Sequence, residues 1–311
     1  MKVIVTGGAG FIGANLCRDL AARREIDEVI ALDNLSTGNR LNLSDVIGVE
    51  LVEGSILDAD LLDRLFRGTD AVVHLGALPS VPRSLANPMA SHLVNATGTM
   101  EVLEAARKHG APHVIVASSS SVYGANPAIP KREDMATLPL SPYAASKLAA
   151  EAATLAFGRS FDLPVLAFRF FNVFGPLQAA DHDYAAVVPA FVSAALGGIP
   201  IPVHGDGLQT RDFTYVGSVT AVLAEAVVRR TTHPGPVNLA FGSRVSLLDL
   251  IVELESIVGH TLERRHASPR PGDVRDSQAD TTRLRQLFPD VAPVGLRNGL
   301  RATVDWYTGT S

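Results

Sequence analysis

Short apolar runs rich in β-branched residues punctuate the first half of the chain: "KVIVTG", "EVIALDN", "VELVEGS", "AVVHLGAL", "HVIVASSS" and "PVLAFRFF". Amphipathic stretches such as Pro88 to His109 separate them, with apolar positions at helical spacing. Unbroken apolar strands alternating with helices predict a parallel sheet covered on both faces, a doubly wound α/β architecture. After Asn172 the rhythm gives way to Pro- and Gly-rich segments, "FGPLQAADHDYAAVVPAF", "GGIPIPVHGDGLQTRDF" and "ASPRPGDVRDSQAD". These read as a smaller α/β domain of returning segments lying over the strand ends, where open α/β sheets bind ligands. The expected division is interleaved: 1–171 plus about 213–240 in the sheet domain, and about 172–212 plus 241–311 in the smaller one.

Composition narrows the class. With 311 residues, 47% hydrophobic and 19% charged, the chain is long enough for a sizeable core and is neither disordered nor fibrous. A net charge of -5 and no basic run exclude a nucleic-acid partner. The one cysteine, Cys17, lies on an apolar helix face and reads as packing in a reducing cytoplasm. No signal-peptide core opens the sequence, and the uncharged stretch Ala185 to Val203 is broken by Pro and Gly into helix, turn and strand. A cytoplasmic protein without a membrane segment is expected.

The first strand runs into "TGGAGFIG", with glycines at 7, 8, 10 and 13. Glycine there lets backbone N–H groups approach a pyrophosphate while the following helix, from about Phe11, points its positive end at the charge. Asp33 ends the next strand, twenty residues after Gly13, where an acid meets ribose hydroxyls. A carboxylate at that point repels a 2′-phosphate, so NAD is favoured over NADP and the sheet is of the Rossmann type.

In "LSPYAASKLAAE", Ser141 is a candidate N-cap and Pro142 a first helical residue, which puts Tyr143 and Lys147 on one helical face. A tyrosine with an ordinary pKa of about 10 needs roughly three units, about 4 kcal/mol, from its surroundings to act as a base near neutrality. A neighbouring ammonium and a cationic nicotinamide could supply it.

The motifs "TGGAGFIG", "DNLSTGN", "HLGALPSVPRSLANP", "VNATGTMEVLEAA", "ASSSSVYG", "SPYAASK", "RFFNVFGP", "GDGLQTRDFTYV" and "RPGDVRDS", in this order, resemble the extended short-chain dehydrogenase/reductases, within the NAD-dependent epimerase/dehydratase group. The similarity covers essentially the whole chain and is strongest to UDP-glucose and UDP-N-acetylglucosamine 4-epimerases. It implies that Tyr143 takes the proton from a sugar 4-hydroxyl while hydride passes from C4 to NAD, with Lys147 lowering the tyrosine pKa and binding the nicotinamide ribose. A 4-keto sugar would then turn over and take the hydride back on its other face. Cofactor contacts implied by the resemblance are Gly7, Gly10, Phe11, Ile12, Gly13, Asp33, Asn34, Ser36, Ile56, Leu75, Gly76, Ala77, Ser118, Tyr143, Lys147 and Phe170.

The serine run acquires roles by the same resemblance. Counting four residues back from Tyr123 gives Ser119 as the catalytic serine, hydrogen-bonding substrate O4 and Tyr143; Ser118 would face the cofactor, Ser120 the sugar, and Ser121 would pack. Dehydratases and uronate decarboxylases of the superfamily carry an acid just after that serine. Here Ser120 and Ser121 stand there, which favours epimerisation.

At the nucleotide-sugar end the resemblance assigns Arg211 and Arg270 to the diphosphate, a task suited to the guanidinium fork. Asp273 would take ribose hydroxyls, Asn172 the diphosphate or the sugar, and the backbone at Val187 and Val188 the uracil. Ser277 falls where glucose-restricted epimerases have a bulky tyrosine, leaving room for a 2-acetamido group, and Ser80, Ser120, Gln178 and Ala186 match the N-acetyl-preferring branch. Departures from the pattern are Ser55 in place of an adenine-reading aspartate, Pro79 in place of glycine, Phe170 in place of tyrosine, and Gly217 and Ser218 in place of an acidic pair, a change expected to touch helix capping. No metal site is expected: His74 reads as a satisfied core histidine, and His182, Asp183 and His204 do not cluster with further ligands. A UDP-sugar substrate and a homodimer through the helices at Pro88 to His109 and Pro142 to Arg159 complete the expectation. UDP-glucuronate 4-epimerase is the enzymatic alternative, requiring an added cation or amide donor at C6. A non-catalytic NAD-binding sensor is the alternative of another class.

Overall fold

The structure is a computed structural model that describes residues 1–180, 186–268 and 275–309. Each of the six apolar runs forms a strand: β1 (Lys2–Thr6), β2 (Glu28–Asp33), β3 (Val49–Glu53), β4 (Ala71–His74), β5 (His113–Ser119) and β6 (Val165–Phe170). Further along come β7 (Asn172–Phe174), β8 (Ile201–His204), β9 (Thr210–Arg211), β10 (Phe213–Tyr215), β11 (Val237–Leu239), β12 (Val245–Ser246) and β13 (Arg264–Ala267). The large sheet has the order β11-β6-β5-β4-β1-β2-β3, and every pairing in it is parallel. Strand order reverses between β1 and β4, so the loops after these two strands open a crevice at the sheet's carboxyl edge.

Alternation along the strands divides the core between two layers. Val3, Val5 and Val73 face one side, packed with α1 (Phe11–Ala21) and α8 (Val216–Arg229). Ile4, Val72 and Val116 face the other, packed on α5 (Gly98–Lys108) and Phe157 of α6 (Pro142–Phe161). Cys17 is buried in the first layer, as its helix face predicts. The stretch Pro88–His109 is helical but not one regular helix: α4 (Pro88–His92, after α2 at Ala59–Leu65 and α3 at Val81–Ala86) passes through a π turn, Leu93–Thr97, into α5.

A third core, containing Phe174, Phe191, Ile201, Phe213, Leu250 and Leu300, is built by α7 (Val187–Leu196), α9 (Leu247–Val258), α11 (Leu296–Thr308) and the short strands around them. The intervening helix α10 (Thr282–Leu287) returns to the large sheet, where Leu284 and Phe288 pack with Val237 and Leu239. Helix α8 is capped by Tyr215 without a side-chain bond, and Ser218 accepts from the Val294 amide at 2.9 Å. The serine at 218 thus ties α8 to the chain before α11 and has no capping role. Among the described residues, no helix is long and apolar enough to cross a membrane.

Candidate active site

The crevice is a cleft of about 900 Å³ whose floor is the glycine loop between β1 and α1. Gly7 has φ of +69°, and a Cβ added at Gly13 would overlap the Gly7 carbonyl. The loop can pass this close to α1 only as glycine, which leaves its amides and the helix N-terminus turned to the cleft. Asp33 is 8% exposed and accepts from the amides of Ala9 (3.0 Å) and Leu35 (2.8 Å), so its carboxylate is fixed at the loop's edge. A cradle that a side chain would fill, a helix N-terminus and a fixed acid together fit a dinucleotide with free ribose hydroxyls. When bound, NAD would supply a hydride acceptor for a substrate carbon and return the hydride to it. All sixteen residues expected at the cofactor lie along this cleft.

Ser119, Tyr143 and Lys147 meet where β5 ends against α6. Ser141 caps the helix, accepting from the Ala144 amide at 3.2 Å, and Pro142 starts it, so Tyr143 enters on the first turn as its sequence predicts. Lys147 is buried and donates to the Ala117 carbonyl at 2.8 Å, and burial pushes its ammonium down to about 8. Burial pushes the Tyr143 phenol up, against the pull of a hydrogen bond with Ser119. Burial sets the direction at the phenol, while the Lys147 ammonium is itself desolvated and bonded to a carbonyl.

The four serines separate by environment. Ser119 accepts from the Ser121 amide (3.2 Å) and hydroxyl (2.9 Å), which fixes its oxygen at the end of β5. Ser121 is thus a partner of Ser119 as well as a packing residue. Ser118 lines the cleft, but its hydroxyl donates to Glu151 Oε2 at 2.6 Å. Ser120 lines neither this cleft nor the second cavity.

The opposite wall is the loop 75–80. Asn95, in the π turn, accepts from the Leu78 amide (2.8 Å), donates back to its carbonyl (3.1 Å) and donates to Ser146 Oγ (3.0 Å). The loop is thereby locked to α6, and Ser80, at φ +94°, leads into α3. Below it His74 lies between Thr6 Oγ1 (2.7 Å) and Thr99 Oγ1 (3.0 Å), a satisfied core histidine. Ser55, also on the cleft wall, accepts from the Leu57 amide at 3.1 Å.

Adjoining the cleft lies a second cavity of about 220 Å³, lined by Asn172, Val187, Val188 and Arg211. Val173, Gln178 and Ala186 line both spaces, so the two are contiguous. Arg211 is buried and donates to the carbonyls of Thr210 (2.8 Å) and Arg275 (3.2 Å). Its neighbour Asp212 collects the amides of Gly242, Ser243 and Ala279 and the Ser243 hydroxyl at 3.0–3.1 Å, joining three chain segments behind Arg211. Ser277 is buried beside β9, donating its amide to Thr210 at 3.1 Å, and lines neither space. Arg270, Asp273, His182 and Asp183 lie outside the described residues.

Sequence reasoning missed Arg83 and Trp306 on the cleft wall, Gln209 in the second cavity, and the supporting Asn95 and Asp212. Arg83, Asn95, Gln209 and Asp212 stand in the quoted motifs "HLGALPSVPRSLANP", "VNATGTMEVLEAA" and "GDGLQTRDFTYV", whereas Trp306 stands in none. Among the described residues no group of His, Cys, Asp and Glu could hold a metal ion.

The buried histidines predict acid sensitivity. Burial pushes His74 down to about 3 and His113 to about 4. Unfolded histidines protonate near ~6.5, so between there and ~4 the unfolded chain binds more protons, and each histidine removes about 1.4 kcal/mol of stability per unit of falling pH. Asp212, pushed up to about 6 by burial, works oppositely below that pH. Two imidazoles outweigh one carboxyl, so the melting temperature should fall from pH 7 to 5, and His113→Gln should flatten the slope in thermal melts.

Comparison with known proteins follows this geometry. The family described as "NAD dependent epimerase/dehydratase family" matches residues 3–240. The UDP-glucose 4-epimerase of Mycolicibacterium smegmatis is 37% identical over 100% of both chains. Among solved structures, a UDP-N-acetylglucosamine 4-epimerase from Methanobrevibacter ruminantium, in complex with UDP-N-acetylmuramic acid, superposes with a TM-score of 0.92 at 34% identity, covering 100% of this chain and 99% of that one. A UDP-glucuronic acid 4-epimerase from Bacillus cereus, in complex with UDP-glucuronic acid and NAD, gives 0.89 at 30% identity with 100% of each covered. With its glycine cradle, its Ser-Tyr-Lys constellation and relatives matched end to end, the chain belongs to the NAD-dependent epimerase/dehydratase family, the extended short-chain dehydrogenase/reductases that resemble UDP-sugar 4-epimerases.

Proposed function

We propose that the protein is a UDP-hexose 4-epimerase acting on the UDP-GlcNAc/UDP-GalNAc pair, the UDP-Glc/UDP-Gal pair or both. One observation carries this reading over dehydration. Among the described residues that line the two cavities, Asp33 is the only carboxylate, and it is held by Ala9 and Leu35 at the glycine loop. Elimination of water next to a 4-ketone needs an acid and a base beside the sugar. The wall beside Tyr143 offers serines instead. Tyr143 would take the 4-hydroxyl proton with Ser119 bonded to the same oxygen, and would return it after the keto sugar presents its other face. Arg211 and Asn172 in the second cavity would hold the diphosphate, with Arg270 and Asp273 as further proposed contacts to it and to the uridine ribose.

The uronate reading gains support from Arg83. It lines the cleft and makes no side-chain hydrogen bond or ion pair among the described residues, the kind of cation a C6 carboxylate would need. Assays of UDP-Glc, UDP-GlcNAc and UDP-GlcA side by side decide: turnover of either neutral sugar is expected, and turnover confined to the uronate would overturn the first reading. A homodimer is part of the proposal, supported by the exposed Leu85 of α3, Met89 of α4, Leu93 of the turn after it and Met100 of α5, and by Phe161 at the end of α6.

A further inference from the structure

Helix α6 carries a third polar side chain on the stripe that bears Tyr143 and Lys147. Glu151 stands one turn beyond Lys147, at i+8 from the tyrosine, on the same face. All three address consecutive residues of β5. Lys147 donates to the Ala117 carbonyl, Glu151 accepts from the Ser118 hydroxyl, and the Ser119 hydroxyl pulls the Tyr143 phenol down against the effect of burial. Glu151 is held from the other side by Arg169 of β6, whose Nε and Nη2 reach its two oxygens at 2.9 and 2.6 Å. Both side chains of this pair are 4% exposed.

The pair is braced across the sheet. Arg169 is the register partner of Ser118 on one side and of Asn238 on the other. Its guanidinium lies 4.7 Å from the centre of the Tyr123 ring, and the Tyr123 hydroxyl donates to Asn238 Oδ1 at 2.6 Å. A buried ion pair is a weak source of net stability, because desolvation offsets most of the attraction. What this one does is geometric: a carboxylate fixed by a bidentate guanidinium cannot slide, and it holds the residue immediately before the catalytic serine.

We propose that Glu151 is a positioning residue for proton transfer: anchored by Arg169 and bonded to Ser118, it sets the height of α6 against β5 so that Tyr143 and Ser119 stay within hydrogen-bond reach. The proposal rests on the Ser119–Tyr143 chemistry of the proposed function. It gives the buried pair a role that neither substrate nor cofactor contact would reveal.

The test compares Glu151→Gln and Ser118→Ala in the full chain. Two readouts are taken: kcat and KM with the active UDP-sugar, and the ionisation of Tyr143 from its ultraviolet tyrosinate band, with Tyr143→Phe as background. Because misplacement by ~1 Å costs about 100-fold, Glu151→Gln should lower kcat by that order with KM little changed. A weakened Ser119 bond should raise the Tyr143 titration by about one unit. Ser118→Ala, which keeps the ion pair, should show the same pattern more mildly. If Glu151→Gln lowers only the melting temperature, with kcat and titration unmoved, the role is structural and the proposal falls. If Glu151→Gln does not fold, Ser118→Ala decides, and parental kcat and titration in it overturn the proposal. If no UDP-sugar is turned over by the parent, the proposed function fails while the titration still judges the positioning role.

Discussion

Tyr143→Phe is expected to lower kcat for 4-epimerisation by about 10²- to 10⁴-fold, the range for a positioned proton-transfer group, while UDP-sugar binding stays near the parent's. The change removes one oxygen and leaves the ring to pack against the cleft. Ser119 would keep its bonds from Ser121, and Lys147 its bond to Ala117, so the scaffold around the missing hydroxyl stays in place. The loss should appear in kcat and kcat/KM alike, the mark of an interaction made in the transition state. Steady-state kinetics with the best UDP-sugar check this. A Phe variant as active as the parent would remove Tyr143 from the chemistry.

Gly13→Ala should act on the cofactor instead of the chemistry. The added methyl would overlap the Gly7 carbonyl and approach Gly8 Cα within 2.8 Å. Both are backbone atoms, so the loop must move away from α1. Overpacking of this kind costs about 1–3 kcal/mol, and if the strain is relieved by opening the cradle, NAD affinity falls by roughly 5- to 150-fold. Titration calorimetry with NAD measures it. Unchanged affinity would mean that the tight approach of Gly7 and Gly13 is not what shapes the site.

What could be read from the sequence follows physical lines. Five of the six sheet strands were legible because they are buried on both faces and so are mostly apolar, and the partly buried edge strand β3 by its valines and leucine; β11 was not, since three residues after a loop carry no period. Tyr143 and Lys147 were legible because a capped helix start fixes their spacing. Glu151 was not, because an acid in an alanine-rich helix reads as a solvated charge until Arg169, on a separate strand, is seen to cover it. Asp212 was hidden likewise: its partners Gly242, Ser243 and Ala279 lie 30 and more residues away. The serine run needed structure for a different reason, since hydroxyls of one kind differ only by what faces them. Ser118 turned out to face an ion pair as well as the cleft.

Trp306, on the cleft wall opposite the glycine loop's domain, is the only tryptophan in the chain. All indole emission from this protein therefore arises from one place, edge-on to the Tyr307 ring at 4.8 Å and on the wall of the cleft that fits a dinucleotide. Indole emits in the band where dihydronicotinamide absorbs and the oxidised ring does not. The fold has thus placed a single optical donor on the wall of a dinucleotide cleft, and under the proposed reaction the protein's own fluorescence would distinguish the reduced from the oxidised half of the cycle.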